Sequence, residues 1–165
     1  MIWKAKLSPE FSAIVPTPVT PVSKLVTFAL ATGRGLFVLA ATSNPEGRAI
    51  QTAIVDGERS VEVAVLEAIG ELNAEADGFG SVGAVIGATR EPPAFDLARL
   101  GGPILVPGVG AQGATVERVS RLFGEVPRSS VLVNVGRAIL GRGPDRRAVY
   151  DAARRWRDEI SSALP

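Results

Sequence analysis

Beyond residue 35 the chain alternates short, continuously apolar runs with longer stretches whose apolar residues recur every three or four positions. The runs are Leu36-Phe37-Val38-Leu39-Ala40-Ala41, Val82-Gly83-Ala84-Val85-Ile86-Gly87, Pro103-Ile104-Leu105-Val106 and Ser130-Val131-Leu132-Val133-Asn134-Val135. They are short and apolar at both alternating sets of positions, which predicts strands covered on both faces, as in a parallel sheet. The intervening stretches read as helices. From Ser60 onward, Val61, Val65, Ala68, Ile69 and Leu72 fall on one helical face. Thr115 is placed to cap a helix carrying Val116, Val119 and Leu122. A last helix over 145–163 has an apolar stripe of Val149, Ala152, Ala153, Trp156, Ile160 and Leu164, with Arg146, Arg147, Arg154 and Arg157 facing water. Only a short helix is expected after the second strand.

Strands alternating with helices in this way predict an α/β fold of parallel βα units. A complete (β/α)8 TIM barrel needs eight such units and about 250 residues. With four units in 165 residues, the chain reads as half a barrel. The first 22 residues do not continue the pattern: Pro16, Pro18 and Pro21 crowd them, no strand is expected there, and a helix follows over 24–31. The predicted organisation is an irregular Pro-rich segment, 1–22, and a partial-barrel domain, 23–165.

Composition narrows the chemistry. The hydrophobic fraction of 46% and a mean hydropathy of +0.23 allow a sizeable core. A net charge of +1 gives no reason to expect a nucleic-acid partner. The chain has no Cys and no His, which excludes thiol catalysis, disulfides, imidazole bases and Cys/His zinc sites. No apolar run reaches the roughly 18 residues of a membrane span. A soluble, cytoplasmic protein without metal is expected. The basic residues are nearly all Arg; the lysines are Lys4, Lys6 and Lys24 alone.

Two segments stand out as ligand-binding. Pro107-Gly108-Val109-Gly110-Ala111-Gln112-Gly113 and Val135-Gly136-Arg137-Ala138-Ile139-Leu140 each follow a predicted strand. Each exposes backbone amides beside one long polar side chain, Gln112 or Arg137, and amides with a guanidinium make a cradle for a phosphate monoester. Taken alone, each segment reads first as something plainer, a glycine-rich turn or a solvated arginine. Their common position, after the last two strands, is where TIM-barrel enzymes often bind phosphate. After the first strand, Ser43 offers a hydroxyl and an amide to a planar heterocycle, although Ser, Asn, Pro and Gly are also ordinary loop residues. Glu46, Glu91 and Asp96 fall on loops at the same end and read as solvated charges.

Four motifs in order resemble a known family. Leu39-Ala40-Ala41-Thr42-Ser43-Asn44-Pro45-Glu46-Gly47, Gly83-Ala84-Val85-Ile86-Gly87-Ala88-Thr89, Leu105-Val106-Pro107-Gly108-Val109-Gly110-Ala111-Gln112-Gly113 and Val135-Gly136-Arg137-Ala138-Ile139-Leu140 are similar to the C-terminal half of orotidine 5′-phosphate decarboxylase, of the longer bacterial type. The resemblance implies a TIM barrel that converts orotidine 5′-phosphate to UMP and CO2 in pyrimidine biosynthesis, without metal or organic cofactor. It implies that Ser43 contacts the pyrimidine, Pro107 lines the base pocket, Gln112 bridges phosphate and base, and Gly136 and Arg137 grip the phosphate. It also implies a homodimer binding a pyrimidine nucleotide 5′-monophosphate.

One departure limits the analogy. The family's catalysis rests on an Asp-x-Lys-x-x-Asp segment on an earlier strand. This sequence has no lysine after Lys24 and no aspartate before Asp56, so the segment cannot be formed and no catalytic residue is assigned. The expectation is a decarboxylase-like chain shortened on its N-terminal side and catalytically silent by itself. The alternatives are a nucleotide-binding or self-associating half-barrel, and another phosphate-binding TIM-barrel enzyme.

Overall fold

The structure is a computed structural model that describes residues 5–7, 11–13 and 22–164. It opens on a short antiparallel pair, β1 (Ala5–Leu7) and β2 (Phe11–Ala13). This corrects the expectation that no strand precedes the first helix: Pro9 falls between the two paired segments, not inside either. The other residues of the 1–22 segment lie outside the described residues. Helix α1 (Val22–Ala31) then leads into β3 (Leu36–Ala41).

The remaining elements are α2 (Pro45–Gln51), the two-residue strands β4 (Ile54–Val55) and β5 (Arg59–Ser60), α3 (Val61–Ala74), β6 (Val82–Ile86), β7 (Ile104–Val106), α4 (Val116–Phe123), β8 (Val131–Val133), the single turn α5 (Arg137–Leu140), and α6 (Arg146–Ala163). A short 3-10 turn, Leu97–Leu100, stands where a short helix was expected after β6. The predicted Thr115 cap is in place, and two further helices are capped as well. Thr115 accepts from Arg118 N–H at 3.2 Å, and Ser60 and Asp145 cap α3 and α6.

Strands β3, β6, β7 and β8 form one sheet, in that order, every pair parallel. Apart from the separate β4–β5 pair, neighbours in the sheet follow one another along the chain, as in consecutive units of a barrel. Val38, Ala84, Ile104 and Val131 align across it on the face that carries the core. Leu66 and Ile69 of α3, Val116, Val119 and Phe123 of α4, and Leu164 after α6 complete that core. Leu39, Val85, Leu105 and Leu132 align on the opposite face, where Leu39 is 46% and Leu132 41% exposed. The sheet is apolar on both faces, and the barrel-interior side is the one left partly open.

Helix α3 differs from its predicted face. Its buried positions are Glu62, Leu66, Ile69 and Asn73, while Ala68 and Leu72 are exposed. Two polar residues therefore occupy core positions, and both have partners far along the chain. Asn73 donates to Val82 O and Leu100 O and accepts from Val82 N–H. Glu62 pairs with Arg90.

Candidate functional site

The ends of β7 and β8 deliver their loops to the same place. After β7 the chain turns through Gly108 (φ +103°) and Gly110 (φ +77°), conformations that a side chain disfavours. The coil is closed by Ala114 N–H to Gly108 O (3.2 Å) and Gly110 N–H to Ala114 O (2.9 Å). The Gln112 side chain folds back over it, with Oε1 3.1 Å from where a Gly108 Cβ would project. After β8, Asn134 N–H donates to Val106 O (2.9 Å), which extends the sheet by one step and aims the following turn at the β7 loop.

A cleft of about 160 Å³ opens between them, lined by Pro107, Gly108, Val109, Ala111, Gln112, Asn134, Gly136 and Arg137. Four of the five residues singled out in the sequence, Pro107, Gln112, Gly136 and Arg137, thus share one cleft. The Arg137 guanidinium is exposed and makes no ion pair or hydrogen bond among the described residues. An unpaired cation beside glycine-rich backbone in a small cleft suits an anionic group rather than a bulky apolar one. Asn134, which sequence reasoning missed, adds an amide; its signal was a single polar residue at the end of the apolar run Val131-Leu132-Val133.

Ser43 is not in that cleft. It lines a second one of about 410 Å³ with Thr42, Asn44, Pro45, Arg48, Thr89, Arg90 and Glu91. The two clefts adjoin through the turn after β6. A Cβ on Gly87 would meet Ser43 N at 3.3 Å, and Thr89 Cγ2 lies 3.6 Å from the Gly108 Cβ position. The segment 87–90 is therefore the wall between the Ser43 loop and the Gln112 loop. Pro45, read as a turn residue, instead occupies the first turn of α2 (Pro45–Gln51), where its missing N–H costs nothing.

The loop carboxylates are not assembled for acid–base work. Glu91 is exposed and pairs with Arg118 (3.1 Å), Asp96 caps the 3-10 turn through Ala98 N–H (3.1 Å), and Glu46 is exposed in the first turn of α2. No group of three or more acidic side chains is arranged to hold a metal among the described residues. No helix among them is long and apolar enough to cross a membrane.

Known proteins resemble this chain in sequence and in fold. The chain is 46% identical over 136 residues to the orotidine 5′-phosphate decarboxylase of Salinispora arenicola, covering 82% of this chain and 49% of that protein. It is 45% identical over 140 residues to that of Streptomyces coelicolor, covering 84% of this chain and 50% of that protein. A crystal structure from Streptomyces avermitilis, assigned there to orotidine 5′-phosphate decarboxylase, superposes with a TM-score of 0.80 at 38% identity, over 96% of this chain and 55% of the other. The UMP synthase of Leishmania donovani matches with a TM-score of 0.66 at 33% identity, over 92% of this chain and 33% of that one. The chain spans about half the length of the curated relatives it matches. The four parallel βα units are thus half of a TIM barrel, and the family model of orotidine 5′-phosphate decarboxylase and the HUMPS proteins matches residues 12–153, so the chain belongs to that family.

Proposed function

We propose that this chain is the nucleotide-gripping half of an orotidine 5′-phosphate decarboxylase. It binds a pyrimidine nucleoside 5′-monophosphate and does not decarboxylate by itself. Arg137 and the Gly136 amide hold the phosphate, Gln112 spans phosphate and base, and Pro107 and Ser43 face the base. The observation that carries this reading is the convergence of Pro107, Gln112, Gly136 and the unpaired Arg137 on one small cleft at the C-terminal ends of β7 and β8. The adjoining Ser43 cleft, on the other side of the 87–90 wall, gives room for a base beside an anchored phosphate.

The chemical step needs more than a grip. Loss of CO2 leaves an electron pair on the ring carbon, and a proton must be delivered to it. This sequence carries no Asp-x-Lys-x-x-Asp segment, and an arginine, protonated at any accessible pH, is a poor donor. Binding energy from the phosphate normally serves the reacting centre; here the reacting centre has no proton donor. Calorimetry with UMP, uridine and ribose 5-phosphate tests the grip. Uridine is expected to bind far more weakly than UMP, and equal binding of the two sinks the proposal. Orotidine 5′-phosphate incubated with the purified chain is expected to keep its absorbance.

A second reading rests on the sheet. Leu39 and Leu132 are exposed on its open face, and β3 and β8 are its end strands. Apolar faces and unpaired edges favour association, so we propose that the chain self-associates, as a dimer or larger. Sedimentation showing a well-folded monomer at all concentrations contradicts this. The proposal includes a cytoplasmic location, which fractionation of tagged protein checks.

A further inference from the structure

We infer that Glu62, Arg90 and Gln51 form a clamp that fixes the Ser43 loop, making them positioning residues for base recognition. The inference rests on the reading that Ser43 faces the base.

The clamp joins four elements. Glu62 sits on the buried face of α3, with its side chain 8% exposed. Its Oε2 lies 2.7 Å from an Arg90 terminal nitrogen, yet has no aligned hydrogen bond, so the contact is mainly one of charge. The other arm of the Arg90 fork donates to Gln51 Oε1 at 2.8 Å, at the end of α2. That same oxygen accepts the Thr42 N–H at 3.1 Å, and Gln51 Nε2 donates to Thr42 Oγ1 at 2.6 Å. Both ends of the Gln51 amide are therefore used, which fixes its orientation, and Thr42 is held through backbone and side chain. Ser43 is the next residue. From α4, Arg118 holds the other side of the 87–90 segment: Nε donates to Ala88 O at 2.7 Å and a terminal nitrogen to Arg90 O at 3.0 Å.

Stability alone does not account for this. A buried ion pair is weak evidence for stability, because desolvation offsets its attraction. The periodicity of α3 puts an apolar residue where Glu62 stands, and a leucine there would pack. What the carboxylate and the fork add is direction. A guanidinium has fixed donor geometry, and one cation here orients two neighbours at once. Recognition groups work when their supporting residues hold them to a fraction of an ångström.

The test uses the full chain and the variants Gln51→Ala, Arg90→Lys and Glu62→Gln. In Arg90→Lys the ammonium keeps a charge for Glu62 but loses the fork that reaches Gln51. Amide hydrogen exchange is followed over 42–51 and, as a reference, over 104–106 and 131–133. Calorimetry gives the preference for UMP over ribose 5-phosphate. Gln51→Ala and Arg90→Lys are expected to speed exchange in 42–51 about tenfold, with the reference strands unchanged, and to lower the preference by about tenfold, as loss of a charge-assisted hydrogen bond does. Affinity for ribose 5-phosphate itself should hold. Unchanged local exchange, or a uniform loss of protection and melting temperature, overturns the clamp. A wild-type chain that binds UMP and ribose 5-phosphate equally overturns the role given to Ser43, and with it base recognition, while the exchange measurement still decides whether the clamp exists. Should Glu62→Gln fail to fold, the partly exposed Gln51 carries the test.

Discussion

Gly110 lies directly against Trp156: a Cβ built on the glycine would sit 3.1 Å from Trp156 Cζ2, and 2.9 Å from the Cβ of Ala138. The contact ties three pieces together. Gly110 belongs to the loop after β7, Ala138 to the one-turn α5 that begins with Arg137, and Trp156 to the apolar stripe of α6. The indole and Ala138 thus both pack against Gly110, where the loop after β7 meets α5 and α6.

Gly110→Ala is therefore expected to loosen the cleft. The residue has φ +77°, so alanine is strained there even before it meets the indole. A cost of about 1–3 kcal/mol follows from strain and overpacking together. Because Ala138 and Trp156 must both give, Arg137 moves with them, and phosphate affinity should fall alongside the urea midpoint. Trp156 fluorescence reports both. A variant with unchanged stability and unchanged binding refutes this role for the contact.

Arg137→Ala should separate binding from folding. The guanidinium is exposed and without a protein partner among the described residues, so its removal leaves stability within about 0.5 kcal/mol. Charge-assisted hydrogen bonds are worth roughly 1.5–3 kcal/mol, so UMP affinity should drop by about 10- to 100-fold. Arg137→Lys recovers only part, because lysine supplies a point charge and no fork. Calorimetry at low and high salt checks this; equal UMP affinity in wild type and Arg137→Ala rules the residue out as the phosphate anchor.

The elements that the hydrophobic pattern predicted well are those whose reasons are local. Thr115 caps the helix it precedes, and the apolar runs 36–41, 82–87, 103–106 and 130–135 contain the four parallel strands. The misread face of α3 has a non-local cause. Glu62 is buried against the charge of Arg90, and Asn73 is buried where Val82 and Leu100 satisfy its amide, all of them outside the helix. No periodicity of α3 contains that information. The positions of the Arg137 and Gln112 loops were legible because both follow apolar runs that become neighbouring parallel strands and so end on the same side of the sheet. The place of Ser43 in an adjoining cleft was not, since the wall that separates it is a turn with no hydrophobic pattern.

The surroundings of Glu117 in α4 give its pH dependence a definite expected sign. The Glu117 carboxyl is held below the usual 4.5, first by a hydrogen bond with the Thr115 side chain, then by its own backbone N–H, with the charge of Arg121 adding to both. A folded-state value depressed below the unfolded one gives stability that is present above pH 4.5 and lost as pH falls through the folded value. Glu117→Gln should therefore be less stable than wild type at pH 7, and the gap should close in acid. Urea midpoints of the two proteins at neutral and acid pH check this. A gap that is constant with pH excludes the carboxylate as its source.

Asn73 gives the sharpest test of the fold that carries the site. Its amide is 3% exposed, donates to Val82 O and Leu100 O, both at 2.8 Å, and accepts from Val82 N–H at 3.1 Å. It thereby fastens α3 to the start of β6 and to the turn before β7. Gly80 and Gly102 make room for it, since a Cβ on either would overlap the amide. Asn73→Leu matches the volume but strips hydrogen bonds from buried backbone groups, a loss of about 2–4 kcal/mol. Asn73→Asp should be at least as damaging, because it turns an acceptor toward two carbonyl oxygens. Both variants should lower the urea midpoint with the slope unchanged, as expected when stability alone changes. An Asn73→Leu protein with wild-type stability would mean that packing, rather than the amide, holds α3 to the sheet.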